Sequence, residues 1–200
     1  MIIGLTGGIA TGKSTASHIL SEQGIPIIDA DLIAKEVVMP GKEAYEQIVA
    51  FFGKEILLED RTLNRAKLGE IIFNDDEKRA RLNEIVHPAV RQEMKKQAKN
   101  HQNAGNKIVI MDIPLLFESK LTHMVDETWL IYAAPETQLK RLMERNGYTE
   151  EQALSRIHSQ MPIEDKKGLA DVVIPNNGTL LELEEKLTHL IKAFKKTGSV

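Results

Sequence analysis

The sequence predicts an α/β fold, a parallel sheet covered by helices on both faces. Three observations predict it. Short apolar runs recur along the chain without polar alternation, the mark of strands buried on both sides. Stretches of helical periodicity separate them, as crossovers between parallel strands require. The first apolar run leads directly into a glycine-rich turn and a helix, GLTGGIATGKST at Gly4 to Thr15.

Each element has its own local reason. Ile2-Ile3-Gly4-Leu5-Thr6 reads as the first strand, and Lys13 to Gln23 as a helix turning Ile19 and Leu20 inward. Gly24 closes that helix as a left-handed cap. Ile25 to Asp29 is the second strand, Lys107 to Met111 the third, Thr128 to Ala133 the fourth and Val172 to Ile174 the fifth. The long stretch between the second and third strands has almost no strand signal and predicts a helical insertion. Its apolar residues Ile48, Phe51, Phe52, Leu68, Ile71, Ile72 and Phe73 recur at helical spacing and are expected in packing. HQNAGN at His101 to Asn106 is expected to be a surface loop. Pro135 starts a helix with Leu139, Leu142 and Met143 inward, and Gly147 ends it. Thr149 to Gln152 is a capping box for a helix carrying Leu154, Ile157 and Met161. Thr179 to Glu182 is a second capping box, ahead of a last helix that buries Leu183, Leu187, Leu190, Ile191 and Phe194.

Composition narrows the function classes. The 200 residues are 42% apolar and 28% charged, an ordinary globular balance. A net charge of −3 argues against a dedicated nucleic-acid binder, which is normally basic. The chain has no cysteine, so disulfides, thiolate metal sites and cysteine nucleophiles are all excluded. No apolar run reaches the roughly 18 residues that span a bilayer, and the N-terminus lacks the order of a signal peptide. A cytoplasmic enzyme with no membrane, nucleic-acid or obligatory protein partner is expected.

Gly7, Gly12, Lys13 and Ser14 match G-x-x-x-x-G-K-[ST] between a strand and a helix, the context in which this motif binds phosphate. Its glycines permit the backbone angles that turn successive N–H groups toward one anion, and the helix N-terminus adds positive potential. Lys13 is expected on the β- and γ-phosphates and Ser14 on Mg²⁺. Asp29-Ala30-Asp31 ends the second strand, where one carboxylate can take a proton from an attacking hydroxyl. The bland reading is that one aspartate, Asp31, caps the next helix. Asp112, after Ile108 to Met111, has the form of a second, Mg²⁺-associated carboxylate, acting through water. Arg141 and Arg145 lie i,i+4 opposite an apolar stripe, with Arg156 in the next helix, and suit a closing lid. Lys140 and Glu144 form an ordinary surface pair on the same helix. His87-Pro88 breaks an apolar helix pattern, and a structural cap or core histidine is the usual meaning.

Taken together these stretches resemble the dephospho-coenzyme A kinase family of P-loop small-molecule kinases. The resemblance is carried by LTGGIATGKST, IDADLIAKEVV, LGEIIFNDDEKRARLNEIVHP, IPLLFE, APETQLKRLMERNG and ADVVIPNNGT, and runs from Met1 to about Thr188. It implies a P-loop kinase core with a five-stranded parallel sheet, made of 1–30, 105–135 and 168–200. A helical acceptor-binding insertion at 31–104 and a helical lid at 136–167 complete a single domain. It implies transfer of a phosphoryl group from ATP to the ribose 3′-hydroxyl of dephospho-CoA, with Mg²⁺. Carried over by position, Asp31 is the general base and Arg145 a lid arginine on the phosphates. Gly8, Ile9, Ala10, Thr11, Gly12, Lys13, Ser14, Thr15 and Arg141 are nucleotide contacts, and Asn177 and Gly178 fall in an adenine-contacting loop. Arg65 and His87 match acceptor positions. Ala10-Thr11 stands where Gly-Ser is frequent, and Asn146 where Asp is frequent; neither removes a group the chemistry needs.

Three rivals read less well. Shikimate kinase shares the phosphate loop and a D-x-D but needs a glycine pair where this chain has Ile113-Pro114-Leu115-Leu116. A GTP-hydrolysing switch needs N-K-x-D, and Asn106-Lys107 is followed by Ile-Val. An inactive binding module would not need Lys13, Ser14 and Asp31 together.

Overall fold

In the computed structural model, which describes residues 1–197, the chain divides into two compact units. One comprises Met1–Ile28 with Ala98–Val200, the other Asp29–Gln97. The last three residues of the expected core segment 168–200 lie outside the described residues.

The first unit holds most of the sheet. Strands β1 (Ile2–Gly7), β2 (Ile27–Asp29), β3 (Val109–Asp112), β4 (Glu127–Tyr132) and β5 (Val172–Pro175) form one sheet in the order β2-β3-β1-β4-β5. β1 pairs in parallel with β3 and with β4, and β4 with β5. Alternate residues Ile3 and Leu5, Ile108 and Ile110, and Trp129 and Ile131 share one face. They pack with helices α1 (Lys13–Glu22) and α9 (Leu180–Thr197) through Ile19, Leu20, Leu183, Leu187 and Ile191, all buried. Burying each such isoleucine or leucine is worth roughly 1.5–3 kcal/mol, so this face is a major source of stability. β1 lies at the centre, and the chain crosses from one side of it to the other between β3 and β4. In parallel sheets that switch point is where the crevice for a ligand opens, beyond the carboxyl ends of the strands.

Helices α6 (Pro135–Asn146), α7 (Glu150–His158) and α8 (Ile163–Leu169) follow β4. Pro135 occupies the first turn of α6, Gly147 ends it at φ 67°, and both bonds of the Thr149–Gln152 capping box form. The second box is half made: the Glu182 N–H donates to the Thr179 hydroxyl at 3.3 Å, without the reciprocal bond. Met161 lies past the end of α7, and Ala153 is that helix's buried residue.

The second unit is helical. α2 (Ala30–Glu36), α3 (Glu43–Phe52) and α4 (Arg65–Phe73) precede α5 (Asp76–Asn103), within which the chain passes back to the first unit. Ile48, Phe52 and Leu68 are buried as expected, whereas Phe51 is half exposed and Phe73 is 82% exposed. Phe51 follows the helical turn about 100° away from buried Phe52, and its ring meets the Arg81 guanidinium at 5.8 Å. Phe73 is the last residue of α4, where no further turn remains to bury it. The expected loop at His101 to Asn106 starts later, because α5 runs on to Asn103 and stops before Gly105 at φ 88°. Its histidine and asparagine are weak helix formers, yet the preceding turns propagate through them.

Candidate nucleotide site

The phosphate loop joins β1 to α1. Gly12 caps α1 at φ 91° with no side chain bonded to the helix terminus, and the first turn carries no acidic residue. The helix therefore presents unopposed N–H groups and its positive end, an anion site by construction. The N–H groups of Ala10, Gly12 and Lys13 donate to no other group among the described residues. Only Gly12 of the three loop glycines uses a left-handed backbone; the other residue that does so is Ala10, at φ 60°. Gly7 and Gly8 serve a different purpose from the one expected of them. A side chain at Gly7 would sit 2.5 Å from the Thr11 hydroxyl, and one at Gly8 2.7 Å from Nε2 of Gln138. These glycines let polar side chains reach the loop backbone.

Lys13 and Asp112 are in contact, Nζ to Oδ1, with both side chains largely buried. The lysine expected on the phosphates thus rests on the carboxylate expected beside the metal. Ser14 and Thr15 are exposed at the start of α1. No group of three or more His, Asp or Glu side chains is gathered among the described residues.

A cavity of about 530 Å³ opens beside the loop, lined by Ala10, Gly12, Thr15, Arg141, Glu144, Arg145, Asn176, Gly178, Leu180 and Leu183. Arg141 is set in its wall by donating to the Asn176 carbonyl at 2.8 Å and the Gly178 carbonyl at 3.5 Å. Arg145 is exposed and donates from Nε to Oδ1 of Asn146 at 2.9 Å, so an Asn in that place still serves as an acceptor. Gly178 lines the cavity. Asn177 does not: its Oδ1 accepts from the Ala134 N–H at 2.8 Å, and the neighbouring Asn176 lines the wall instead.

In the helical unit the pair at the end of β2 resolves into two roles. Asp29 is the cap of α2, its Oδ1 accepting from the Leu32 N–H at 2.9 Å. Asp31 is exposed in the first turn and its side chain makes no bond among the described residues, so the capping role belongs to Asp29 rather than Asp31. Arg65 opens α4 and is exposed. His87 is neither a cap nor a core residue; it is exposed in the middle of α5, which continues through Pro88.

The comparisons with known proteins agree with this geometry. A family model described as dephospho-CoA kinase matches residues 1–182. The chain belongs to the dephospho-CoA kinase family. A relative of that name from Shouchella clausii is 58% identical over 179 residues, covering 90% of this chain and 91% of the relative. Another from Bacillus cereus is 54% identical over 192 residues, covering 96% of both. Among solved structures, a dephospho-CoA kinase from Campylobacter jejuni superposes with a TM-score of 0.77 at 31% identity over 98% of both chains. Membership of a kinase family implies ATP as a substrate and removes the switch and the inactive module as readings.

In this family member, several residues that hold the loop carry no motif. Gln138 Nε2 donates to the Ile9 carbonyl at 2.7 Å, and Gln160 Oε1 accepts from the Ile9 N–H at 2.8 Å. Asn176 Nδ2 donates to the Thr11 carbonyl at 2.8 Å. Lys166, fully buried, donates to the Gly7 carbonyl at 3.2 Å and pairs with Glu118 at 2.7 Å. Gln138 carried a faint signal, as a polar residue four before buried Leu142 in the α6 stripe. Lys166 carried none, because in the sequence it is one of two adjacent lysines. α8 is held to the sheet a second time by the Tyr132 hydroxyl, which donates to Glu164 at 2.5 Å. That bond to a carboxylate raises the Tyr132 phenol above its ordinary value.

Proposed function

We propose that the chain transfers the γ-phosphoryl group of ATP to the ribose 3′-hydroxyl of dephospho-CoA, giving coenzyme A. The observation that carries this reading is a phosphate loop whose Ala10, Gly12 and Lys13 N–H groups have no partner among the described residues, in a chain matching the family model over residues 1–182. The acceptor oxygen forms a bond to the γ-phosphorus while the bond from that phosphorus to the β,γ-bridging oxygen breaks. The acceptor proton passes to Asp31, whose exposed and unbonded carboxylate suits a base awaiting substrate. Little covalent chemistry is asked of the protein, so positioning and charge neutralisation supply most of the rate.

Lys13 exchanges the Asp112 carboxylate for phosphate oxygens when the nucleotide enters. The donors available for Mg²⁺ are the Ser14 hydroxyl and, through water, Asp112. A set this small fits Mg²⁺, which keeps several waters and takes its remaining ligands from the phosphates. Bound there, the metal would offset charge on the β- and γ-oxygens. Arg141 and Arg145 supply further positive charge from the α6 wall, and Asn176, Gly178 and Leu180 border the base. Asn177 acts by fixing this loop to Ala134. Arg65 and His87 bind the acceptor. The moving part of the lid is the stretch around Arg145, Tyr148 and Arg156, since Gln138, Gln160 and Lys166 tie its two ends to the loop. No described helix is long and apolar enough to cross a membrane. With that and the absence of cysteine, we place the reaction in the cytoplasm, with small molecules as its partners.

The test is direct. Purified protein is mixed with Mg-ATP and dephospho-CoA, and ADP release is followed together with the mass of the acceptor. The expected result is one added phosphoryl group per acceptor, with ADP formed only when acceptor is present. ADP released at the same rate without acceptor would point to hydrolysis instead.

A further inference from the structure

We infer that Gln138 and Lys166 are positioning residues that set the phosphate loop for ATP by holding its carbonyl groups away from the incoming anion. The inference rests on the loop being the ATP site, as proposed above, but not on the identity of the acceptor.

In a planar trans peptide the C=O and the N–H of the next residue point in opposite directions. A donor that fixes one carbonyl therefore fixes the next N–H on the other side. Gln138 fixes the Ile9 carbonyl and so the Ala10 N–H, while Lys166 holds the Gly7 carbonyl at the point where β1 leaves its ladder with β4. The Ala10 N–H donates to nothing else among the described residues, as an anion cradle needs. A flip of the Ile9–Ala10 peptide would replace a donor with an oxygen dipole facing the phosphate, and loss of the Lys166 contact would free the Gly7 carbonyl at the start of the loop.

The cost of the arrangement argues that it is built for this purpose. Lys166 is 0% exposed, and a buried ammonium is expensive unless paired and hydrogen-bonded. Its partners are the Glu118 carboxylate, at the end of the segment after β3, and the Gly7 carbonyl. Gln138 Nε2 is spent on Ile9 while its own Oε1 is buried without a partner. The amide orientation is forced, because the Ile9 carbonyl accepts only from the NH₂ end. An unsatisfied buried acceptor is destabilising, so a packing role alone would favour an apolar side chain at 138. Gly8 lacks the side chain that would collide with the Gln138 amide, which leaves room for this contact.

Two variants test it: Gln138→Met, which keeps the length and removes the donor, and the double change Lys166→Met with Glu118→Gln, which leaves no lone buried charge. Affinities for Mg-ATP and for AMP are measured by calorimetry on the full chain, alongside the melting temperature. AMP reports the base and α-phosphate wall, whereas ATP also needs the loop. Affinity for ATP is expected to fall about tenfold or more while that for AMP stays within about twofold. With dephospho-CoA, kcat should fall as well. Equal losses for AMP and ATP would mark a merely structural role and overturn the inference, as would unchanged ATP affinity in Gln138→Met. Failure of dephospho-CoA as acceptor would bear on the acceptor alone, since both affinities are read without it.

Discussion

The phosphate loop and the helical unit at Asp29–Gln97 carry their proposed site residues in opposite ways. Around the loop, Lys13, Asp112, Gln138, Lys166 and Asn176 are buried or half-buried, and each is bonded to a partner distant in sequence. In the helical unit, Asp31, Arg65 and His87 are exposed and bond to nothing among the described residues. The difference follows from what each must meet. A polyphosphate needs a concave set of N–H groups held ready, because reorienting peptides during binding would cost the energy the site is meant to supply. An acceptor brings its own groups to side chains that stand in water until it arrives, so those side chains need only reach it.

The comparison predicts that substitutions in the helical unit act on turnover and leave stability intact. Asp31→Asn should lower kcat by about a thousandfold, with ATP affinity and melting temperature unchanged. A drop in melting temperature would show that Asp31 is structural after all. Arg145→Ala, on the exposed part of the α6 wall, should lower kcat by about ten- to a hundredfold with no loss of stability, and wild-type kinetics would remove it from the lid role. Loop substitutions should instead move stability. Ala10 holds φ 60° without being glycine, a conformation costing about 1–2 kcal/mol for a residue with a side chain. Ala10→Gly relieves that strain but loosens the unfolded chain, for a net gain of about 0.5 kcal/mol in urea unfolding. A net loss would mean that the Ala10 side chain packs usefully.

The smallest effect concerns the far end of the sheet. The Thr128 hydroxyl and, less strongly, the Thr128 N–H hold the Asp171 carboxyl below its ordinary value of 3.8. A lowered folded value stabilises the protein above the unfolded value, and that gain is lost as pH falls through the folded one. Asp171 is exposed, so the contribution is screened and stays below about 1 kcal/mol. Thr128→Val should therefore be less stable than the parent at pH 7. The gap should close as pH falls below the ordinary carboxyl value of 3.8 and through the lowered folded one, as followed by urea midpoints. A gap that does not change with pH would assign the loss to packing alone.

Much of this was legible in the residues. The strand–loop–helix around Gly7 to Ser14, the five strands, Pro135 and Gly147 at the ends of α6 and the Thr149 capping box rest on local rules that need no neighbours. Phe73 misled because periodicity tells which residues share a face of a helix, not whether that face is covered. Asp29 and Asp31 were interchangeable in sequence because both precede an apolar helical stretch, and the helix start one residue after Asp29 decides between them.

By itself the sequence determined the fold class, the position of the phosphate loop and the family, since each depends on short-range pattern and on chemically required residues. The braces of the loop were decided only by tertiary structure. Gln138, Gln160, Lys166 and Asn176 lie more than a hundred residues from the carbonyl or N–H group each one holds. Glutamine, lysine and asparagine are ordinary surface residues until folding buries them, and only then does a backbone carbonyl that has lost water need the donor each one supplies.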